Sequence, residues 1–92
     1  MTADDLFTAS APDPTWSAAL TGLWHAEQGD WHAAHEAVQD DSSAAGSWVH
    51  ACLHREEGDL GNAGYWYSRA GQATAHGDLA AERRAIAAAL LT

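Results

Sequence analysis

Apolar residues recur along this chain at three- and four-residue spacing, the period at which side chains share one face of an α-helix. Trp31, Ala34 and Val38 form one such stripe. The dipeptide Gly-Asp stands at 29–30 and again at 58–59, where glycine suits the end of one helix and aspartate the start of the next. The pattern predicts an all-α chain. Its predicted helices lie near residues 14–28, 30–40, 44–57 and 59–70, with a short one over 3–9 and a last one over 79–91.

Capping residues support the first and the last of the longer helices. Asp13 precedes Pro14, which predicts an N-cap followed by proline at the first helical position. The run from Gly71 to Asp78 contains two glycines and is typical of a loop. Asp78 is then predicted to cap the last helix.

The chain contains an internal repeat with an offset of 29 residues. Superimposing the two Gly-Asp steps pairs Trp24 with Leu53 and Val38 with Tyr67, so apolar positions fall on apolar positions. Each copy is therefore predicted to be a helix hairpin, and the last helix is expected to close the open end of the stack. The predicted single domain covers 1–92, with repeat 1 over about 14–41, repeat 2 over about 44–70 and the capping helix over about 78–91.

The repeated residues resemble those of tetratricopeptide (TPR) and Sel1-like repeats. The matching positions are Gly22, Gly29, Asp30, Trp31 and Ala34 in the first copy, and Ala51, Gly58, Asp59, Ala63, Tyr67 and Ala70 in the second. The resemblance implies two TPR/Sel1-like helix hairpins followed by a C-terminal capping helix, although the period of 29 residues is shorter than the usual period of about 34. The chain is also similar to small bacterial proteins of no assigned function that carry WHxAHE and VHAxLHRxEGD segments.

The composition indicates how such a chain can form a core. Leu, Ile, Val and Phe total only twelve residues, which is few for a chain with a net charge of −9. Five Trp and two Tyr supply apolar surface instead, because each large aromatic side chain buries about 150 to 250 Å². We therefore expect a core rich in aromatic side chains.

Charge and cysteine content exclude several classes of partner. The chain has no Lys and four Arg, too few for a basic patch, so neither nucleic acid nor an anionic membrane is expected to bind it. No apolar stretch approaches the roughly 20 residues of a membrane span. Cys52 is the single cysteine, and the first ten residues do not resemble a signal peptide. A cytoplasmic protein is expected.

Six histidines are present, and several have the spacing of metal ligands. His50, His54 and Glu57 fall at i, i+4 and i+7 of one predicted helix. Imidazoles and carboxylates from facing helices build metal sites in helical bundles. The candidate ligands are His35, Glu36, His50, His54 and Glu57. Such a site would suit zinc, iron, nickel or copper.

The same histidines also have a structural interpretation, and the sequence leaves both open. His25 falls on His54 in the repeat alignment, where TPR-like proteins place a packing aromatic residue, so both rings can fill space between paired helices. His35 borders the apolar stripe of its helix. His32 and Glu36 point away from that stripe and are expected in solvent.

Two functions fit these observations. The first is a protein-interaction or scaffold module that binds a protein partner or a second copy of itself, with a dimer favoured. The run Tyr65-Trp66-Tyr67 cannot face one core with all three rings, and Trp66 is expected to be exposed or to cover a groove. The predicted partner contacts are Trp24, His50, His54, Trp66 and Arg69. The second function is a metal-binding protein, and the sequence leaves open whether it is an enzyme.

Two further residues carry expectations that the structure can check. Cys52 shares a helical stripe with Trp48, which indicates a buried, inert thiol rather than a nucleophile paired with a histidine. Arg55 stands beside Glu56 and Glu57, which predicts local ion pairing on a solvated face.

Overall fold

The computed structural model describes all 92 residues and contains six α-helices and no strand, which confirms the predicted all-α class. The helices are α1 (Ala3–Thr8), α2 (Ala18–Glu27), α3 (Trp31–Val38), α4 (Ala44–Glu56), α5 (Leu60–Ala70) and α6 (Leu79–Leu90). None of them combines the length and the apolar character that crossing a membrane requires.

Helix α2 packs against α3, α4 packs against α5, and the same type of turn joins the two members of each pair. Gly29 and Gly58 have φ angles of +82° and +81°, a region that favours glycine. In the first turn, the Gly29 N–H donates to the Ala26 carbonyl and the Asp30 N–H donates to the His25 carbonyl. The second turn has the same bonds 29 residues later. The sequence repeat therefore corresponds to two turns with one hydrogen-bonding pattern.

Aspartates cap three helices as predicted. The Asp30, Asp59 and Asp78 side chains each accept a hydrogen bond from the backbone N–H three residues further on. These bonds satisfy backbone donors that the first turn of a helix leaves without a partner. The starts of α3, α5 and α6 are therefore determined by local side chains.

The first long helix begins later than predicted. The Asp13 carboxylate accepts hydrogen bonds from the backbone N–H and the hydroxyl of Thr15, at 2.8 and 2.7 Å. Ser17 is the N-cap instead, and α2 starts at Ala18 rather than at Pro14. The difference arises because the short Asp13 side chain closes a turn with Thr15 instead of capping a helix.

The main core lies among α1, α2, α3, α4 and α6 and is mostly aliphatic. Leu6, Leu23, Leu53 and Ile86 are among its fully buried side chains. All five tryptophans are only partly buried, and four of them, Trp16, Trp31, Trp48 and Trp66, pack against the edge of a core cluster. They supply apolar surface to the core, as expected, but do not form its centre. The physical reason is that an indole has an N–H that needs a partner, which favours positions at the edge of a core.

Helix α6 packs against α1, α2 and α4, and its backbone does not approach α5. It therefore lies across the first helix of each pair and does not close the end of the stack, where we expected it. Arg83 on α6 donates to Glu27 at 2.9 Å and to Glu56 at 3.1 Å. Glu27 and Glu56 stand 29 residues apart, so one guanidinium contacts the equivalent position in both copies.

A second ion pair joins α4 to α6 in the interior. The Arg55 guanidinium donates to Glu82 at 2.8 Å, and both side chains are largely buried. The Tyr67 hydroxyl donates to the other oxygen of Glu82. Arg55 was expected to pair with Glu56 and Glu57, and this is wrong because the buried Glu82 carboxylate needs a counter-charge and lies within reach.

Candidate metal centre

Three histidine side chains meet where α3 packs against α4. His50 and His54 lie one turn apart on α4, and His35 faces them from α3. One ring nitrogen from each lies within 4.8 Å of the other two. The Nε2 atoms of His35 and His50 are 3.1 Å apart. We refer to His35, His50 and His54 as the His trio.

The short connection between α3 and α4 holds these two helices together. The Asp41 carboxylate accepts the Ser43 N–H at 2.9 Å, and the Ser43 hydroxyl accepts the Gly46 N–H at 3.0 Å. A Cβ atom on Gly46 would lie 2.5 Å from the Asp41 side chain. Glycine at this position therefore allows the connection to fold tightly, and α4 then passes beside α3 with His50 on the facing side.

Two tryptophans enclose the His trio. Trp31 lies one turn before His35 on α3, and their rings stack with centroids 4.9 Å apart. Trp66 reaches over from α5 and stacks on His50 with centroids 4.0 Å apart. The Trp31 indole N–H also donates to the Leu53 carbonyl at 2.8 Å, which fixes the ring against α4. The imidazoles are therefore positioned by stacking as well as by their own helices.

The environment keeps the buried imidazoles neutral. Burial, followed by the nearby imidazoles of His35 and His54, lowers the pKa of His50 to about 4. Burial also lowers the pKa of His35, with His54 as the next cause. The neutral ring is the form that binds a metal, because its lone pair is free. At pH 7 neither His35 nor His50 has to lose a proton before binding a cation.

Two ring nitrogens of the trio have no partner in the protein. His50 Nδ1 and His54 Nδ1 are buried and make no hydrogen bond. The Asp59 carboxylate lies 3.8 Å from His54 Nδ1, beyond hydrogen-bond length. A buried polar atom without a partner costs about 1 to 3 kcal/mol. A cluster with such atoms is a place where a bound ligand can supply what the protein does not.

The spacing of the trio suits a first-row transition metal. A tetrahedral ion that binds nitrogen at about 2.0 to 2.1 Å holds its ligand atoms about 3.3 Å apart. The 3.1 Å between His35 and His50 is already close to this separation. The ring nitrogen of His54 lies within 4.8 Å of those of His35 and His50. It therefore has to move closer to them by at most about 1.5 Å to reach the separation of about 3.3 Å. Rotation about side-chain torsions can supply a movement of this size.

The two carboxylates predicted as ligands lie outside the trio. Glu36 and Glu57 are exposed, and neither belongs to the group of ligand atoms that meet. Glu36 follows His35 directly, so its side chain projects about 100° further around α3. Glu57 is the C-cap of α4. The structure therefore brings together three of the five residues predicted as ligands, the imidazoles of the His trio. His32 is exposed, as expected.

The residues predicted as partner contacts do not share one exposed surface. The Trp24 indole N–H donates at 2.9 Å to the backbone carbonyl that follows α1, so this ring holds α1 on α2. His50 and His54 belong to the trio, and Trp66 is half-buried over it. Arg69 is exposed, with its guanidinium 5.4 Å from the centre of the Trp66 ring.

The expectation for the aromatic run of α5 is partly corrected. Trp66 covers the trio, which was one of the two expected placements. Tyr65 is the exposed aromatic ring, with 54% of its surface open to solvent. Tyr67 is buried and contacts Glu82. The three rings therefore point in three directions, as helical geometry requires of consecutive residues.

Cys52 takes no part in the candidate centre. Its thiol is buried in the main core, as expected for an inert residue. Burial, and then the nearby Glu82 carboxylate, raises the pKa of the thiol. The reactive thiolate is therefore disfavoured.

The sequence analysis did not predict that Trp31 and Trp66 would stack on histidines of the trio. The four-residue spacing from Trp31 to His35 could have indicated their contact, because residues i and i+4 share a helix face. No pattern in the sequence indicated that Trp66 would stack on His50, since that contact depends on how α5 packs against α4.

A cavity of about 410 Å³ lies elsewhere, between α4, α6 and the loop that connects α5 to α6. Trp48, His76 and Glu82 are among its lining residues, and no member of the His trio lines it. The cavity and the candidate metal centre are separate features of the molecule.

Comparison of the chain with protein-family models, with curated proteins and with solved structures finds no match. The TPR/Sel1-like resemblance therefore stays a prediction. The case for a function rests on the geometry of the His trio.

Proposed function

We propose that this protein binds one transition-metal ion through the three imidazoles of the His trio. The convergence of three ring nitrogens within 4.8 Å, between two packed helices, carries the proposal. The lowered pKa of His50 supports it, because the ring is neutral at pH 7. The unpartnered nitrogens of His50 and His54 support it as well, because rotation of either ring can turn such an atom towards a shared ion.

The donor set indicates which metals are suitable. Imidazole suits zinc, copper, nickel and iron, whereas magnesium and calcium prefer oxygen ligands. The group contains no thiolate and no carboxylate. Three protein ligands leave at least one coordination position for water or another small molecule. The proposal is metal binding, and it assigns no reaction.

Zinc titration of tag-free protein stripped with EDTA, followed by isothermal titration calorimetry, tests this proposal. We expect one zinc ion per chain, and a melting temperature that rises when zinc is added, because a ligand that binds only the folded state stabilises it. His50→Gln and His54→Gln should each weaken binding by about 100-fold, equivalent to about 2.7 kcal/mol, because each removes one ligand.

His32→Gln is the matched control. His32 lies on α3, three residues before His35, and its side chain is exposed, so its removal should leave the affinity unchanged. Circular dichroism establishes that each variant is folded. Failure of the stripped wild-type chain to bind zinc, copper, nickel or iron would contradict the proposal. So would tight binding that survives both trio substitutions.

We also propose that the scaffold is a diverged pair of TPR/Sel1-like hairpins. Support comes from the two turns with the same hydrogen bonds and from the capping aspartates Asp30 and Asp59. The contact of Arg83 with the equivalent residues Glu27 and Glu56 adds to it. The protein-binding role that the resemblance implies stays a prediction. Of the five residues predicted for it, His50, His54, Trp66 and Arg69 lie together, whereas Trp24 lies apart and holds α1 on α2.

A further inference from the structure

Helix α5 differs from the other five helices in charge and exposure. It contains no Asp or Glu, although the chain has 13 acidic residues and a net charge of −9. Leu60 and Tyr65 on this helix are 67% and 54% exposed, and Met1 is the one other large hydrophobic residue with comparable exposure. Helix α5 thus combines exposed apolar side chains with the absence of carboxylates.

The exposed residues of α5 lie on one side of the helix. Ala63 and Tyr67 are buried in a small cluster on the other side, and α4 is the one helix that α5 packs against. The middle of the exposed side, which we call the α5 face, consists of the exposed Leu60, Gly61, Tyr65 and Ser68 and the half-buried Gly64. The exposed Asn62 and Arg69 lie at its edge. No other part of the chain covers this face.

Two glycines in the α5 face have no packing role within the chain. A Cβ atom on Gly61 or Gly64 would meet no atom within 4 Å, and neither residue has a positive φ. Glycine inside a helix costs about 0.8 to 1.0 kcal/mol relative to alanine. Gly22, by contrast, is explained by its surroundings, because a Cβ there would lie 2.9 Å from Val38. The close approach of a second backbone would explain Gly61 and Gly64 in the same way.

We propose that the α5 face packs against the same face of a second copy of this chain, forming a two-fold symmetric dimer. Over most of the surface, contact between two copies brings carboxylates of one near carboxylates of the other, which is repulsive. The α5 face avoids this repulsion. A basic partner would instead be attracted to the acidic remainder of the surface, so the charge distribution favours a second copy here.

A two-fold axis beside Gly64 makes the two α5 helices antiparallel, so their helix dipoles run in opposite directions. The axis brings the two Gly64 residues together. It also places Leu60 opposite Ser68 of the partner subunit, because both positions are four residues from Gly64 and lie on the α5 face.

The size of the face sets the strength of the dimer. Helix α5 has 11 residues and is about 16 Å long. Stable dimers bury about 800 Å² on each partner, more than one side of a helix this short provides. We therefore expect a weak dimer, with a Kd of about 10 to 500 µM.

Sedimentation equilibrium in EDTA, over a range of protein concentrations, tests this proposal independently of any metal. The wild-type chain should show a monomer–dimer equilibrium. Leu60→Glu and Tyr65→Glu should each weaken the dimer by at least about tenfold, or about 1.4 kcal/mol. Leu60→Glu replaces an apolar contact with a charge, and Tyr65→Glu also brings two carboxylates close together, because Tyr65 is next to the axis at Gly64. Gln39→Glu adds the same charge at an exposed position just after α3 and should leave the dimer unchanged.

Gly64→Ala is a further test, because it should stabilise the monomer and weaken the dimer. Alanine should raise the melting temperature of the monomer, because it is the better helix former and meets no atom in the chain. The same methyl group should weaken the dimer by separating the two helices. A wild-type chain that stays monomeric up to about 1 mM overturns the proposal. A dimer that survives Leu60→Glu, Tyr65→Glu and Gly64→Ala overturns it as well.

Discussion

His50 is the most buried member of the His trio. Its ring stacks on His54 and on Trp66, with centroids 4.9 and 4.0 Å away, and its Nε2 faces His35 Nε2 at 3.1 Å. Protonation would place a buried cation among neutral rings, with no carboxylate hydrogen-bonded to it. The lowered pKa and the capacity to bind a metal therefore have the same origin, which is a buried ring among other imidazoles.

The metal-free protein should lose stability as the pH falls from about 6.5 to about 4. Burial and the imidazoles of His35 and His54 lower the pKa of His50 from an ordinary value of 6.5 to about 4. Between these values the unfolded chain binds a proton that the folded chain does not, so stability rises with pH across this window. Urea unfolding at several pH values between 7.5 and 4.5, in EDTA, measures the effect.

His50→Gln is the control for this pH dependence. Glutamine has no group that titrates in the window, so the variant should show a smaller loss of stability between pH 6.5 and 4 than the wild-type chain. The pKa of His35 is also lowered by burial, so part of the slope should remain. A wild-type stability that is flat across the window would show that the trio is not buried in its neutral form.

At the scale of elements, α6 is attached to the other helices by ion pairs. Arg83 contacts Glu27 at the end of α2 and Glu56 at the end of α4. Arg84, the next residue, pairs with Asp4 of α1. The Arg83 side chain is mostly buried, whereas the Arg84 and Asp4 side chains are 48% and 75% exposed. The two neighbouring arginines should therefore differ in their contribution to stability, because solvent weakens an exposed pair.

Arg83→Met should lower the free energy of unfolding by about 1 to 2 kcal/mol, because it removes two charge-assisted hydrogen bonds and keeps the apolar stem. Arg84→Met, the control, should lower it by less than about 0.5 kcal/mol. Urea unfolding measures both. Double-mutant cycles with Glu27→Gln and Glu56→Gln should show coupling to Arg83 in each case. Equal effects of Arg83→Met and Arg84→Met would contradict the conclusion that Arg83 stabilises the fold by joining Glu27 and Glu56, the equivalent residues of the two repeat copies.

The parts of the structure that the sequence predicted depend on local interactions. The turns at Gly29 and Gly58 and the cap at Asp59 were predicted because their hydrogen-bond partners lie within a few residues. His50 and His54 were predicted to share a face for the same reason. Asp13 misled the prediction because two local partners compete for such a carboxylate, namely a helix N-terminus and a turn.

The parts that the sequence could not predict depend on contacts between distant residues. Arg55 pairs with Glu82, 27 residues away, and nothing in the local sequence favours this partner over the adjacent glutamates. Trp66 stacks on His50 only because α5 packs against α4 with a particular rotation. That same rotation leaves Tyr65 in solvent. Glu57 was grouped with His54 and lies outside the trio, because the sequence gives the spacing of these two residues and not the position of the facing helix.

Across the whole molecule, most of the arginines take part in ion pairs between α6 and another helix. Three of the four arginines form ion pairs, and every one of these pairs joins α6 to another helix. Arg69, the fourth, lies on α5 beside Tyr65 and Trp66. The 13 acidic residues all lie outside α5. The fold thus separates a buried histidine centre from an uncharged outer face on the helix that covers it.

A crystal structure of the zinc-loaded chain, with anomalous diffraction data collected on both sides of the zinc absorption edge, tests the metal-binding proposal most directly. We expect one anomalous peak per chain between α3 and α4, about 2.0 to 2.1 Å from a ring nitrogen of each of His35, His50 and His54. Zinc found only at exposed positions such as His32 or His76, or no ordered zinc at all, would contradict the proposal.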